Sequence, residues 1–231
     1  MKNISIILPV FNEEENLTYI LDKLVQLTEK LKPINFEIIA VNDGSTDTSP
    51  NILKNYNIKI LQHEHRLGYG ASIKDGIKNS SSNNIIILDA DRTYPPFELY
   101  RIIKVMDSAK LVIGTRANYF SLIRHFANKM LAFLASLLFF TRISDLNSGM
   151  RFFEKETIQQ LNYSSWTNSF SFTTTMTLSA IINNVPITEI PIRCETRQGS
   201  SKLNIFKMGY KILRMIFHFF KIRRKSQIRN Y

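Results

Sequence analysis

The first half of the chain alternates short apolar runs, rich in β-branched residues, with longer stretches in which apolar residues recur every three or four positions. The runs are typical of parallel strands buried on both faces, and the stretches indicate helices. The predicted strands are residues 4–10, 36–42, 58–62, 85–88 and 111–114. The predicted helices are residues 13–31, 47–56, 70–80 and 96–106. This order predicts an α/β fold in which helices cover both faces of a doubly wound, mostly parallel sheet.

The second half of the chain has a less regular pattern. In order, it contains an amphipathic stretch at 119–140, an irregular segment at 145–149, a helix at 171–182, a strand at 187–193 and a basic amphipathic helix at 205–220. No sequence repeat or linker-like tract divides the chain. We therefore predict one domain over residues 1–202 and a basic tail over residues 203–231.

The composition is that of a folded protein. The chain has 231 residues, of which 44% are hydrophobic and only 8 are glycine and 7 proline, so disordered and collagen-like classes are excluded. The single cysteine, Cys194, cannot form an internal disulfide, which favours a reducing compartment.

The net charge of +11 is concentrated at the C-terminus. Residues 1–195 carry 20 basic and 19 acidic side chains, whereas residues 196–231 carry ten basic side chains and no acidic one. Such a tail could contact nucleic acid, an anionic membrane or a phosphorylated substrate. Because the sequence has no helix-turn-helix, zinc or RNA-binding motif, we expect no nucleic-acid partner.

The apolar stretches of the second half are expected to touch a membrane without crossing it. The longest apolar run, residues 130–140, is about half of the roughly 20 residues that a spanning helix needs. Apolar positions from Leu122 to Leu137 fit either a core or a membrane face. Those from Ile205 to Phe219 lie among lysines and arginines and favour an interfacial helix. We therefore predict a cytoplasmic protein that binds peripherally to the inner face of an anionic membrane.

Polar residues follow three of the predicted strands, at 11–16, 42–47 and 89–96. Ligands of doubly wound sheets bind beyond these carboxyl ends. Asp89 and Asp91 form an Asp-x-Asp pair whose mutual repulsion a divalent cation would relieve, and two carboxylates with phosphate oxygens suit Mg²⁺ or Mn²⁺. The pair therefore predicts a nucleoside diphosphate with its metal, although capping carboxylates in an ordinary turn would have the same pattern.

Six motifs carry a resemblance to a known family. They are Pro9-Val10-Phe11-Asn12-Glu13, Asn42-Asp43-Gly44-Ser45-Thr46-Asp47, Gly68-Tyr69-Gly70, Asp89-Ala90-Asp91, Gly114-Thr115-Arg116 and Asp145-Leu146-Asn147-Ser148-Gly149-Met150-Arg151. In this order and spacing they resemble family 2 glycosyltransferases of GT-A fold, and among these the polyprenyl-phosphate sugar transferases related to dolichol-phosphate mannosyltransferase. The resemblance covers residues 4 to about 203.

The resemblance implies roles for particular residues. The nucleoside would be bound by Pro9, Phe11, Glu13, Val41 and Asp43. The diphosphate and the metal would be held at Asp89, Ala90 and Asp91, and a basic segment with Arg197 and Lys202 would close over the donor. The acceptor side would be formed by Arg116, Arg124, Ser148 and Arg151. The catalytic residues would be Asp91, Arg116 and Asp145.

The predicted activity is inverting transfer of a sugar from a nucleoside-diphosphate donor to a polyprenyl phosphate. Segment 170–175 offers hydroxyls but no acid, which favours a phosphate acceptor over a sugar hydroxyl that needs a general base. Asn42 and Thr93 depart from the family pattern and leave the donor open between UDP and GDP sugars. The alternatives are transfer to a saccharide hydroxyl and a noncatalytic nucleotide-binding scaffold.

Overall fold

The sheet carries the strand ends that the sequence analysis singled out. The computed structural model describes residues 2–118, 121–196 and 205–229, and within these ranges seven strands form one sheet. The strands are β1 Asn3–Val10, β2 Asn35–Asn42, β3 Lys59–Gln62, β4 Asn84–Ile87, β5 Leu111–Arg116, β6 Arg151–Glu154 and β7 Ile187–Ile192. Their order is β3-β2-β1-β4-β6-β5-β7, and β6 alone runs antiparallel to its neighbours. The predicted doubly wound, mostly parallel sheet is confirmed.

Helices cover the sheet on both faces. They are α1 Glu14–Lys30, α2 Ser49–Leu53, α3 Tyr69–Asn79, α4 Leu99–Val105, α5 Leu122–Phe139, α6 Lys155–Gln160, α7 Phe172–Ile182 and α8 Ile205–Arg229. On β1, alternate side chains such as Ile6 pack with α1, whereas Ile7 packs with α3 and α7. A strand that is buried on both faces explains the unbroken apolar run that predicted it.

Three sequence expectations need correction. Strand β3 was expected to be buried, but it lies at the edge of the sheet and its residues Lys59 and Ile60 are exposed. The helix expected over 47–56 shortens to α2, because Asp47 uses its side chain to accept hydrogen bonds from the backbone of Glu14 and Ser49. Strand β6 and helix α6 were not expected at all, since their four and six residues are too short to show a period.

Helix α5 presents an apolar face to solvent. Its exposed stripe, defined here as six side chains that are each more than half exposed, is Leu122, Phe126, Met130, Phe133, Leu137 and Phe140. The sequence left open whether this face belongs to the core or contacts a membrane. Its exposure contradicts the first of these interpretations. Among the described residues, α5 is the one helix whose length and composition alone would suffice to cross a membrane, with 18 residues and a mean hydropathy of 1.3. The absence of a spanning helix stays a prediction.

Helices α5 and α8 run parallel to each other. In their N-terminal halves, Ala127 of α5 and Met208 of α8 line the same cavity, and nearer their C-terminal ends the rings of Phe139 and Phe220 meet edge to face at 6.2 Å. Ile212 and Ile216 are buried in this contact, which also includes α7. The beginning of the predicted tail is therefore packed on the α/β body.

Candidate active site

A cavity of about 330 Å³ lies where β1, β2, β4 and β5 end, as expected for a doubly wound sheet. Most of the residues that the sequence assigned to the site line this cavity. They are Pro9, Phe11, Glu13, Asp43, Asp89, Ala90, Asp91, Arg116 and Arg124. The other predicted residues that the structure describes are buried and do not line the cavity; they are Val41, Asp145, Ser148 and Arg151. Arg197 and Lys202 are outside the described residues.

Asp43 is held rigidly at the end that was predicted to bind the nucleoside. It is 3% exposed, and its carboxylate accepts hydrogen bonds from the backbone N–H groups of Leu67 at 2.7 Å and Gly68 at 2.9 Å. The His63 Nδ1 atom lies 2.9 Å from the same carboxylate, and its Nε2 atom lies 3.0 Å from Asp75. Sequence reasoning missed His63, although its position directly after β3 is the kind of strand end at which ligands bind.

Two aromatic contacts shape the walls of the cavity. The guanidinium of Arg66 lies over the Phe11 ring at 4.2 Å, and both residues line the cavity. Tyr69 stacks on Phe170 with ring centroids 5.1 Å apart. The sequence did not indicate either wall residue, because Arg66 lies in no motif and segment 170–175 was considered only for its hydroxyls.

The glycines of the Gly68-Tyr69-Gly70 motif allow its backbone to lie close to the backbone of residues 167–168. Gly68 has a φ of 109°, and a Cβ on Gly70 would lie 2.3 Å from the carbonyl oxygen of Thr167. The Gly70 N–H donates to the Asn168 carbonyl at 2.8 Å. The motif therefore joins the start of α3 to segment 167–168 and places Tyr69 beside Asp89.

Asp89 and Asp91 follow β4 and face the cavity. Desolvation, followed by the charge of Asp91, raises the pKa of Asp89 to about 7, while the Tyr69 hydroxyl donates to Asp89 at 2.7 Å and acts in the opposite direction. Asp91 accepts from the Thr93 N–H at 3.0 Å. A Cβ on Gly149 would lie 1.7 Å from an oxygen of Asp89, so this glycine makes room for the carboxylate.

The donor set of this pair fits Mg²⁺ or Mn²⁺. Within the described ranges no group of three His, Cys, Asp or Glu side chains forms a protein cage for a metal. A cage is unnecessary for Mg²⁺, which takes one or two carboxylates and completes its shell with phosphate oxygens and water. Burial first, and then the charge of Asp91, raises the pKa of Asp89, and a cation at the pair would favour the ionised carboxylate against both effects.

Arg116 reaches the cavity from β5 and is fixed from behind by Asp145. Its Nε and Nη2 atoms donate to the two oxygens of Asp145 at 2.7 and 2.8 Å. Asp145 is 1% exposed; burial opposes its ionisation, but the Arg116 guanidinium prevails and lowers its pKa below the ordinary value. The geometry of this two-point ion pair orients Arg116 and leaves Asp145 outside the lining.

Ser148 and Arg151 form a fully buried support. Arg151 donates to the carbonyls of Ser148 at 2.7 Å and Leu146 at 2.8 Å and to the Thr177 hydroxyl at 2.7 Å, and burial lowers its pKa to about 10. Ser148 donates to the Gly114 carbonyl at 2.5 Å. The structure does not bring either residue to the cavity surface, where the sequence interpretation placed them. They hold segment 145–151 against β5.

Comparison with known proteins identifies the family. The family model described as glycosyl transferase family 2 matches residues 5–176. The chain belongs to this family. The match confirms the resemblance carried by the six sequence motifs.

Two relatives of this family 2 chain act on polyprenyl phosphates according to their names. The undecaprenyl-phosphate 4-deoxy-4-formamido-L-arabinose transferase of Photorhabdus laumondii is 34% identical over 123 residues, which are 50% of this chain and 37% of that protein. The dolichyl-phosphate hexose transferase of Haloferax volcanii is 24% identical over 215 residues, which are 91% of this chain and 90% of that protein. The chain thus spans about a third of the first relative and nearly all of the second.

The fold of this glycosyl transferase family 2 member matches solved GT-A structures. Glucosyl-3-phosphoglycerate synthase from Mycobacterium tuberculosis, in complex with Mn²⁺, UDP and phosphoglyceric acid, superposes with a TM-score of 0.76 at 16% identity. The superposition covers 95% of this chain and 78% of that one. At this identity the likeness establishes the fold.

The remaining wall of the cavity is mostly apolar and comes from two helices. Ala127, Asn128 and Leu131 line it from α5, and Met208, Gly209 and Ile212 line it from α8. The α8 residues were predicted only as a membrane-facing tail, because nothing in their pattern indicates that the helix returns to the site. This wall contributes no carboxylate from the described residues.

Proposed function

We propose that this protein transfers a sugar from a UDP- or GDP-linked donor to a polyprenyl phosphate, with inversion, at the cytoplasmic face of the membrane. The observation that carries the proposal is that a single cavity is lined both by carboxylates and by arginines beside a largely apolar wall. Glu13, Asp43, Asp89 and Asp91 would bind the donor and its metal, whereas Arg124 and the wall of α5 and α8 would form the acceptor end, and Arg116 would serve both. The names of the two polyprenyl-phosphate transferases support the same acceptor.

The donor would lie with its nucleoside along Phe11 and Asp43. Asp89 and Asp91 would hold Mg²⁺ or Mn²⁺ against the diphosphate, and such a cation neutralises charge on a leaving nucleoside diphosphate. Arg116, already oriented by Asp145, would add a fixed positive charge where that charge develops.

The acceptor end favours a phosphate nucleophile. A phosphate monoester has a second pKa of about 6 and is largely an oxyanion at neutral pH, so it needs cations and no carboxylate base. Glu189 and Glu195 do not line the cavity: Glu189 accepts hydrogen bonds from the backbone N–H and the hydroxyl of Ser144, and Glu195 accepts one from the Tyr19 hydroxyl at 3.2 Å. The acceptor oxygen would attack the anomeric carbon, and the nucleoside diphosphate would leave with the bonding electrons from the opposite face.

The membrane part of the proposal depends on the exposed stripe of α5. Phe126 and Phe133 are 70% and 69% exposed on this stripe, beside the basic helix α8. Burying two phenylalanines in the interface would contribute about 3 kcal/mol or more, and nearby lysines and arginines would add attraction to anionic lipid. An apolar acceptor chain could then enter between α5 and α8 directly from the membrane.

The first experiment measures transfer by the purified protein. A panel of UDP and GDP sugars with Mg²⁺ or Mn²⁺ is offered with undecaprenyl phosphate or with free saccharides. We expect product only on the lipid phosphate, no product after chelation of the metal, and a much larger loss for Arg116→Gln than for the control Glu195→Gln. Transfer to a saccharide alone would support the alternative acceptor, and donor binding without turnover would support the noncatalytic scaffold.

The second experiment measures binding to anionic vesicles. Phe126→Ser with Phe133→Ser should release the protein, whereas Phe97→Ser, which changes a 55% exposed phenylalanine in the short Pro96–Glu98 turn beside α1, should not. These point changes are preferable to removing α8, because Ile212 and Ile216 of that helix are part of the core. Equal vesicle binding by the folded double variant would refute the membrane face.

A further inference from the structure

A second cavity lies at the other end of the α5–α8 pair. It has a volume of about 290 Å³ and opens at the C-terminal ends of both helices. Leu131 is the last residue of α5 that lines the first cavity and Phe139 is the first that lines the second, so the two cavities are about 12 Å apart along α5 at 1.5 Å per residue. The second cavity is thus separate from the proposed transferase site.

The chemistry of this second cavity suits an anion. Arg142 and Arg223 both line it, and the described lining residues include no aspartate or glutamate. Arg142 is exposed and forms no ion pair with a carboxylate in the described part of the chain. Thr141 and Asn184 add hydrogen-bonding side chains. Guanidinium groups match phosphate oxygens by their planar fork of donors.

Phe140 connects this cavity to the exposed stripe of α5. It has a left-handed backbone, with φ 48° and ψ 45°, and its side chain is 89% exposed. A non-glycine residue in this conformation costs about 1–2 kcal/mol, and an aromatic ring in water adds to the cost. Entry of the ring into the apolar edge of a membrane would offset both costs, and its neighbour on the stripe, Leu137, is also 59% exposed.

We propose that this cavity binds the phosphate headgroup of an anionic phospholipid, with Arg142 and Arg223 on the phosphate and Phe140 among the acyl chains. The inference rests on the membrane part of the proposed function and adds a specific lipid site to it. Bound there, a lipid would anchor the C-terminal ends of α5 and α8 while their N-terminal halves face the acceptor.

A structural role for the arginines is the competing explanation. Arg223 donates to the Phe139 carbonyl at 2.5 Å and so stabilises the negative end of α5. This contact accounts for Arg223, but it leaves the exposed Arg142 and the exposed Phe140 unexplained. The two variants tested are therefore Arg142→Gln and Phe140→Gly, and the second should keep or raise the thermal stability because glycine adopts the left-handed conformation freely.

The experiment compares the full-length protein on phosphatidylcholine vesicles with and without phosphatidylglycerol. We expect the wild type to prefer phosphatidylglycerol. Arg142→Gln should weaken that binding by more than the roughly fivefold expected for one basic group near a surface. Arg142→Lys should recover only part of it, because an ammonium lacks the fork. Lys30→Gln, at the end of α1 on the opposite face of the sheet, is the charge-matched control and should have no effect.

Several results would overturn the inference. Equal losses for Arg142→Gln and Lys30→Gln would indicate diffuse attraction, and a lower melting temperature for Arg142→Gln with unchanged lipid binding would indicate helix capping only. A wild type that transfers sugar yet binds both vesicles equally would remove the lipid site and leave the proposed function standing. By contrast, a wild type that needs Arg142 to bind phosphatidylglycerol but transfers no sugar would support the lipid site and refute the proposed transferase function.

Discussion

Replacing Asp145 by asparagine tests whether this buried acid acts only through Arg116. The side chain of Asp145 is 1% exposed and that of Arg116 is 21% exposed, and two hydrogen bonds of 2.7 and 2.8 Å join them. Removing one partner of a buried pair costs about 3–5 kcal/mol. Because Arg116 partly reaches water and asparagine keeps one acceptor oxygen, we expect a loss of about 2 kcal/mol in the free energy of unfolding.

The same change should slow catalysis, since Arg116 would lose its fixed direction. A misplacement of about 1 Å costs on the order of 100-fold in rate, so we expect transfer to fall by about 10- to 100-fold. Urea unfolding and initial rates of sugar transfer measure the two effects. The control is Asp107→Asn, whose exposed ion pair with Lys2 should contribute less than about 1 kcal/mol and nothing to the rate.

A double-mutant cycle decides the argument. If Asp145 only positions Arg116, the variant with both Asp145→Asn and Arg116→Gln should be no slower than Arg116→Gln alone. A double variant that is at least about tenfold slower than Arg116→Gln would give Asp145 a role of its own and refute the reasoning. The pKa of Asp145 is lowered in the folded state, so its contribution should persist above the ordinary carboxyl pKa of about 4 and disappear only as the pH falls below it.

Three further predictions concern the support of the site. Gly149→Ala should displace Asp89, whose oxygen would lie 1.7 Å from the new Cβ, and reduce transfer at least about tenfold while circular dichroism stays native. Arg151→Met should lower the free energy of unfolding by about 3 kcal/mol in urea, because it leaves two buried carbonyls without a donor; an unchanged midpoint would contradict that role. Asp91→Asn should weaken Mn²⁺ binding to the protein–UDP complex by calorimetry, and undiminished binding would remove Asp91 from the proposed metal site.

The donor half of the molecule could be predicted from the sequence because its site residues lie at the ends of strands that the sequence also predicts. Pro9, Asp43 and Asp89 each lie at the end of a buried β-branched run, so their meeting at one edge of the sheet follows from parallel topology alone. The acceptor half lacks this regularity. Strand β6 is four residues long, and the return of α8 to the cavity depends on packing with α5 and α7.

Burial divides the residues of the motif at 145–151 into buried supports and a cavity-lining residue, a distinction that the motif alone does not make. The segment 145–151 reads as one polar motif, yet Asp145 and Arg151 are buried supports, and the cavity receives Asn147 from it. The sequence shows which residues are polar but not which direction each side chain takes. In an irregular segment there is no period from which that direction could be derived.

The antiparallel strand β6 has a consequence for the order of folding. Strands β1 to β4 pair only with one another and with β6, so residues 3–87 can form four adjacent parallel strands early in synthesis. Strand β5 pairs with β6 and β7, both of which follow it in the chain, and it must wait for them. When β6 enters between β4 and β5 it brings Gly149 against Asp89 and Asp145 against Arg116. The nascent chain therefore acquires its complete reaction centre late, after the segment that follows α5 has been made.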